Sequence, residues 1–284
     1  MQLIDGKELS KQVKQQVKQE VDNYISKGNR KPRLDVILVG DNSASQIYVK
    51  NKERAAKACN IDSYTHVLPE SSTKEDVEDL IIELNNNTEV DGILLQLPLP
   101  DKLKQYEEYF IELISYKKDV DGFHPINVGK LSLGLPCSTP CTPTGVITML
   151  ESLPVELEGK HAVIIGRSNI VGKPLIQMLL NKNCTVTTCH SRTTNIEEIT
   201  KQADILVVAI GKPEFVTKDM VKDRAIVIDV GINRKDGSKK IYGDVDFEDV
   251  KDKVSYITPV PGGVGPMTIA SLMKNTLECY KRNI

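Results

Sequence analysis

Hydrophobic positions along the chain alternate between two periods. Leu9, Val13, Val17, Val21 and Ile25 recur at spacing four and Gly28 follows, which predicts an amphipathic helix from about Lys7 to Lys27 with a glycine cap. Leu34–Val39 is an unbroken apolar run ended by Gly40-Asp41 and reads as a buried strand. The alternation continues with a helix to about Cys59, capped by Ser43 or Ser45, and a strand near Tyr64–Leu68. A helix from Ser72 or Thr73 to about Asn85, a strand Gly92–Leu97 and a helix Leu103–Ser115 follow. Apolar strands in regular alternation with helices predict a parallel sheet covered on both faces.

Residues 119–143 break this rhythm with glycine-bearing turns and Pro136, Pro140 and Pro143. Thr142-Pro143 reads as the cap and first residue of a helix Thr144–Leu153. Strand Ala162–Gly166, helix Val171–Asn181, strand Thr185–Cys189, helix Ile196–Gln202 and strand Ile205–Gly211 then form a second series. It is completed by a short helix at Lys218–Val221 and strands Ala225–Val230 and Tyr256–Pro259, a doubly wound pattern. The last helix, Pro266–Arg282, keeps Ile269, Leu272, Met273 and Leu277 on one side, and that face is expected to dock on the first domain. The fold class expected is therefore α/β with two domains, each a mostly parallel sheet with flanking helices, the second of Rossmann type. Residues 1–120 with 267–284 are expected to form one domain and 140–266 the other, joined by 121–139.

Charge narrows the functions available to such a chain. In 284 residues, 37 Lys and Arg nearly balance 39 Asp and Glu, so no nucleic-acid partner is expected and any anion site must be local. The first residues run directly into the amphipathic helix with no apolar leader, and no run is long enough to span a bilayer, so a cytoplasmic enzyme without a membrane partner is expected. The six cysteines have no zinc-like spacing and are expected to be buried small hydrophobes, with no metal.

Two places carry candidate chemistry. In Ile165-Gly166-Arg167-Ser168-Asn169-Ile170-Val171-Gly172 a buried strand turns into a helix. Gly166 permits the turn, Gly172 permits close packing, and the helix N-terminus offers N–H groups to a pyrophosphate. Ser168 stands where the usual fingerprint has a glycine, so the fragment alone also fits an ordinary strand–helix turn. The next strand ends in His190-Ser191-Arg192 with no carboxylate for a ribose 2′-hydroxyl, while Ser191, Arg192 and Arg167 can hold a 2′-phosphate, which points to NADP over NAD. The second place is the helix around Lys52. Tyr48, Lys52, Ala55 and Cys59 share one stripe, so Lys52 lies where an apolar residue is expected. Such a lysine either snorkels or serves a ligand, and burial lowers its pKa toward proton-transfer range. Gln96 interrupts an apolar strand near its carboxyl end, where it is either a core glutamine or a ligand contact. Asp119 and Asp121 are turn aspartates or site carboxylates.

These residues resemble the bifunctional methylenetetrahydrofolate dehydrogenase/methenyltetrahydrofolate cyclohydrolases over nearly the whole chain. The resemblance rests on Tyr48-Val49-Lys50-Asn51-Lys52, Gln96-Leu97-Pro98-Leu99-Pro100, Asp119-Val120-Asp121-Gly122-Phe123 and Cys141-Thr142-Pro143. It also rests on Gly166-Arg167-Ser168, His190-Ser191 and the segment from Pro259-Val260-Pro261-Gly262-Gly263 to Thr268. Ile126 and Lys130 stand where a Tyr and an Arg are more usual. The resemblance implies a homodimer with an active cleft between the domains, oxidation of 5,10-methylenetetrahydrofolate by NADP, and hydrolysis of the product to 10-formyltetrahydrofolate. It implies that Lys52 is essential to hydrolysis, that Tyr48 lines the folate site, that Gln96 bonds the lysine and that Asp121 anchors the pterin. The nucleotide set expected is Thr142, Gly166, Arg167, Ser168, Gly172, Ser191, Arg192 and Ile232. Pro261, Gly262 and Gly263 join the folate set, as a loop whose backbone can approach a ligand closely. Two rivals remain open on the residues alone: an NADP oxidoreductase acting on another small substrate, and a dinucleotide sensor without catalysis.

Overall fold

The protein is described by a computed structural model covering residues 1–235 and 240–284, with only the backbone of Ser43 and Ala44. In chain order the elements are β1 (Gln2–Leu3), α1 (Gly6–Ser26), β2 (Arg33–Val39), α2 (Ser43–Ala58), β3 (Asp62–Leu68), α3 (Lys74–Asn86), β4 (Gly92–Leu95), α4 (Glu107–Leu113), α5 (Pro125–Ser132) and α6 (Cys141–Glu151). They continue as β5 (His161–Ile165), α7 (Gly172–Leu180), β6 (Thr185–Cys189), α8 (Ile196–Thr200), β7 (Ile205–Val208), β8 (Ile226–Asp229), β9 (Asn233–Arg234), β10 (Ile241–Tyr242), α9 (Phe247–Val250), β11 (Tyr256–Ile257) and α10 (Val264–Lys281). The chain divides into two units. One holds Lys11–Cys141 with Ile269–Ile284 and is called here the Lys52 unit. The other holds Met1–Ser10 with Thr142–Thr268 and is called the Gly166 unit.

In the Lys52 unit, β3, β2 and β4 form a parallel sheet with β2 in the middle. Leu34–Val39 and all of β4 are buried, as continuous apolar strands require. The edge strand β3 departs from the expectation of cover on both faces, because Tyr64 and Val67 stand exposed on it. Thr73 caps α3 in a full capping box with Asp76. Ser45, one of the two serines expected to cap α2, does not do so. Asn42 Oδ1 accepts from the Ser45 N–H, and the Ser43 side chain lies outside the described residues. At the other end of α3, Lys118 Nζ donates to the carbonyls of Leu84, Asn85 and Asn87, placing a cation on the negative end of the helix. The terminal helix docks as its pattern predicts. Leu272, Met273, Leu277 and Tyr280 join Val17, Val21, Leu34, Val36 and Leu94 in one core, each such burial being worth roughly 1.5–3 kcal/mol for an aliphatic side chain. One helix, α5, emerges inside the stretch that reads as a linker. His124 Nδ1 caps it by accepting from Ile126 N–H, Pro125 opens it, and Asp119 accepts from Gly122 N, His124 N and Asn127 Nδ2.

In the Gly166 unit, six parallel strands are ordered β1-β11-β8-β7-β5-β6. The order reverses at β5, with β6 on one side and β7 on the other, so a dinucleotide crevice is expected at the carboxyl end of β5. The first residues belong to this sheet: Gln2 N–H donates to Ser255 O and Ile4 N–H to Ile257 O, so that β1 covers the edge of β11. Strand β7 stops at Val208, short of the expected Gly211, because the next amides turn toward Asp244. Helix α6 starts at Cys141, so Thr142 and Pro143 lie within its first turn rather than at its cap, and the missing N–H of proline costs nothing there. An antiparallel ribbon of β9 and β10 is the remaining element pair. No helix among the described residues is long and apolar enough to cross a membrane.

Candidate active site

The stripe on α2 runs out of the core as it climbs the helix. Cys59 and Ala55 are buried, Lys52 is half-buried and Tyr48, one turn earlier on the same face, is 46% exposed. Lys52 does not snorkel into water: its Nζ donates to Gln96 Oε1 at 2.9 Å. Gln96 is held as an acceptor. Its backbone N–H donates to Ile37 O beyond the end of β4, and its side-chain Nε2 donates to Leu97 O, which leaves Oε1 for the lysine. Asp121 follows an isolated bridge between Ile93 and Asp119 that ties the turn to β4.

The electrostatics of this group oppose charge. Burial pushes the Lys52 ammonium below its ordinary pKa, against the attraction of Asp121 and Cys141. Burial likewise pushes the Asp121 carboxyl up to about 6. Lys52 holds it down, the charge of Asp119 adds to the rise, and a hydrogen bond with Cys141 offsets it. The Cys141 thiol is driven well above its usual range by burial and then by the Asp121 charge, so it is a neutral donor. The sequence pattern treated the cysteines as small hydrophobes. Five are indeed buried, but Cys141 is also a partner of Asp121. Tyr48, Lys52, Gln96 and Asp121 thus fall in one unit, with Lys52 bonded to Gln96 and interacting with Asp121 and Cys141.

The nucleotide candidates lie in the Gly166 unit. Gly166 has φ +130°, and a Cβ there would stand 2.3 Å from Ala209 O. A Cβ on Gly172 would stand 2.3 Å from Gly166 O, so only glycines let α7 approach the turn this closely. Ser168 Oγ accepts from Val171 N–H at 3.2 Å and Gly172 N–H at 3.4 Å, which explains a serine at the degenerate position: it ties the turn to the start of α7. Arg167, Ser168, Ser191 and Arg192 are exposed. The second pair sits in a turn built by His190, whose N–H donates to Thr193 Oγ1 and whose Nδ1 accepts from Arg192 N–H. Ile232 is exposed on the loop after β8, and Thr142 Oγ1 meets Thr268 Oγ1 at 3.0 Å. The loop between β11 and α10 holds Pro261, Gly262 and Gly263. Gly262 has φ +112° and accepts from Lys7 N–H. A Cβ on Gly6 would fall 1.8 Å from Gly263 O. These residues meet the demand of a dinucleotide for a side-chain-free turn at a helix N-terminus. Two buried carboxylates behind this edge, Asp229 and Asp244, escaped the sequence pattern. Their only signal was an aspartate closing an apolar strand in Ile228-Asp229-Val230-Gly231 and another beside glycine in Gly243-Asp244. No group of three or more His, Cys, Asp or Glu among the described residues could hold a metal ion.

Comparison with known proteins agrees across the chain. Residues 4–121 match the model of the tetrahydrofolate dehydrogenase/cyclohydrolase catalytic domain, and residues 140–284 match that of the NAD(P)-binding domain. The bifunctional protein FolD of Oceanobacillus iheyensis is 57% identical over 98% of this chain and 96% of its own. The crystal structure of the bifunctional FolD enzyme, a methylenetetrahydrofolate dehydrogenase/cyclohydrolase, from Campylobacter jejuni superposes with a TM-score of 0.96 at 51% identity, covering 100% of both chains. The Trypanosoma brucei dehydrogenase-cyclohydrolase, solved with NADP cofactor and an inhibitor, superposes with a TM-score of 0.93 at 37% identity over 99% of this chain and 97% of that one.

Proposed function

Because the chain belongs to the tetrahydrofolate dehydrogenase/cyclohydrolase family, we propose that it oxidises 5,10-methylenetetrahydrofolate with NADP and hydrolyses the methenyl product to 10-formyltetrahydrofolate. The observation that carries the hydrolytic half is the Lys52–Gln96 hydrogen bond beside Asp121. A lysine whose pKa is lowered by burial gives up its proton more readily than one in water, and its neutral form can take a proton from water. Water adds to the methenyl carbon and yields that proton to Lys52 Nζ, which releases it to solvent. The carbinolamine so formed then passes its hydroxyl proton to N5 as the C–N5 bond breaks, leaving the formyl group on N10. Gln96 Oε1 fixes the lysine for this relay, and Asp121, charged above pH of about 6, accepts hydrogen bonds from the donor-rich pterin edge. Tyr48, on the same face as Lys52, gives the folate an apolar wall.

NADP supplies the hydride acceptor when bound. The turn Gly166–Ser168 with Gly172 would hold its pyrophosphate, and Ser191, Arg192 and Arg167 its 2′-phosphate. Thr142 and Ile232 complete the nucleotide set, and Pro261, Gly262 and Gly263 bring backbone to the folate. Residues 1–120 with 267–284 would then carry the folate chemistry and 140–266 the nucleotide. The protein would work in the cytoplasm as a homodimer. One assay decides the reading: methylenetetrahydrofolate with each nucleotide, followed by absorbance through the methenyl to the formyl compound. NADP-dependent appearance and decay of the methenyl form is the expected course. Reduction of NADP without folate, or no turnover, would sink it.

A further inference from the structure

Asp244 is fully buried in the Gly166 unit, and its carboxylate is saturated by four donors. Oδ2 accepts from Ile210 N–H at 2.7 Å and Gly211 N–H at 3.0 Å. Oδ1 accepts from Lys212 N–H at 2.9 Å and from Asn233 Nδ2 at 2.8 Å. One side chain thus ties the loop leaving β7 to the loop leaving β8. A second buried carboxylate fixes the first. Asp229, the last residue of β8, accepts from the N–H groups of Gly231, Asp244 and Val245, each at 2.9 Å, while its own N–H donates to Thr258 Oγ1. Side chains are excluded from this junction. A Cβ on Gly231 would lie 2.4 Å from Asp244 Cγ, and one on Gly243 would lie 1.8 Å from Asp229 Oδ2.

No lysine or arginine side chain bonds either carboxylate among the described residues. Burying two carboxylates this close is costly, and a core could be built of apolar residues instead. The expense is explained by where the tied loops lie. Both leave the carboxyl edge of the sheet on the side of β5 opposite β6. The loop after β7 also touches the nucleotide turn, since Ala209 O is the atom that excludes a side chain from Gly166. A dinucleotide crosses the crevice at the switch point, so with the adenosine 2′-phosphate on the β6 side its nicotinamide half must lie over β7 and β8.

We propose that Asp244, seated by Asp229, is a positioning residue that holds the Ile210–Lys212 and Gly231–Asn233 loops as a preformed wall for the nicotinamide half of NADP. The proposal rests on the dinucleotide reading of this unit, and binding can test it separately from turnover. Asp244→Asn replaces one acceptor oxygen with an amide that faces the N–H donors. Affinity for NADP and for adenosine 2′,5′-bisphosphate, which carries only the adenosine half, is measured by calorimetry on the full chain. The variant should bind NADP at least about tenfold more weakly, as expected for losing hydrogen bonds to a charged acceptor, and bind the bisphosphate as the unaltered protein does. Asn233→Ala, which cuts the side-chain tie but keeps the carboxylate, should show the same split with a smaller loss, and it serves if Asp244→Asn does not fold. Equal weakening of both ligands, as general loosening of the unit would produce, overturns the proposal, and so does unchanged NADP affinity. Failure of the unaltered protein to bind either nucleotide would instead refute the dinucleotide reading itself.

Discussion

The two units solve opposite problems with similar sheets. In the Lys52 unit the candidate site is made of side chains that are unhappy with charge: a half-buried lysine, a carboxyl pushed up to about 6 and a neutral thiol. In the Gly166 unit the ligand edge is made of side chains that are absent or exposed: two glycines that admit no Cβ, and arginines in solvent. The difference matches the work proposed for each unit. Hydrolysis moves protons and needs groups with tuned pKa values, whereas hydride transfer needs two carbons held together and little acid–base help. Proton chemistry is thus paid for in desolvation, and positioning is achieved with backbone.

If that contrast is right, Lys52→Ala should produce the largest effect. Methenyl hydrolysis should fall roughly 10²–10⁴-fold, the usual worth of a positioned proton-transfer group, while NADP affinity stays unchanged. Rapid-mixing assays of the methenyl compound read the first quantity and nucleotide titration the second. Hydrolysis at the original rate would remove the lysine from the mechanism. Next in size, Arg192→Ala should raise the KM for NADP about 10–100-fold, matching about 1.5–3 kcal/mol for a hydrogen bond to a charged group, and leave the KM for NAD and the hydrolysis rate alone. A parallel loss with NAD would show that the basic turn serves general folding and not the 2′-phosphate. The smallest effect sharpens the contrast through stability. The Asp121 pKa is raised on folding from 3.8 to about 6, so between those values the folded state holds more protons than the unfolded one, and stability falls as pH rises through the window. Asp121→Asn should therefore be the more heat-resistant protein at pH 7, by at most about 3 kcal/mol and a few degrees in Tm, while losing folate turnover. The advantage should vanish near pH 4. A variant no more stable at pH 7 than at pH 4, relative to the parent, would mean that Asp121 is not strained by burial.

The sequence exposed what depends on local pattern. Strand β6 begins and ends where its β-branched run Thr185–Cys189 does, and the stripe on α10 finds the core it requires. Lys52 was visible because one polar residue on an apolar stripe is an anomaly over a few turns of helix. What stayed hidden depends on distant partners. Strand β1 has only two residues and exists because β11 offers it an edge. Helix α5 hides among prolines and glycines and is held by Asp119, which in sequence is an ordinary turn aspartate. Asp229 and Asp244 are set by donors 2 to 34 positions away, and no window of sequence contains that network.

The division of the chain bears on how it is made. The core of the Lys52 unit is closed by Leu272, Met273, Leu277 and Tyr280, yet residues 142–268 of the Gly166 unit are synthesised between them and the sheet they cover. The Gly166 unit in turn takes its edge strand β1 from residues made well before β11, which must wait for that partner. Domains usually fold in the order of synthesis, the first-made settling while the next is translated. Here neither unit can complete itself that way, so the apolar face of β2 and β4 emerges long before its cover, and the nascent chain has a built-in need for delay or protection until α10 is made.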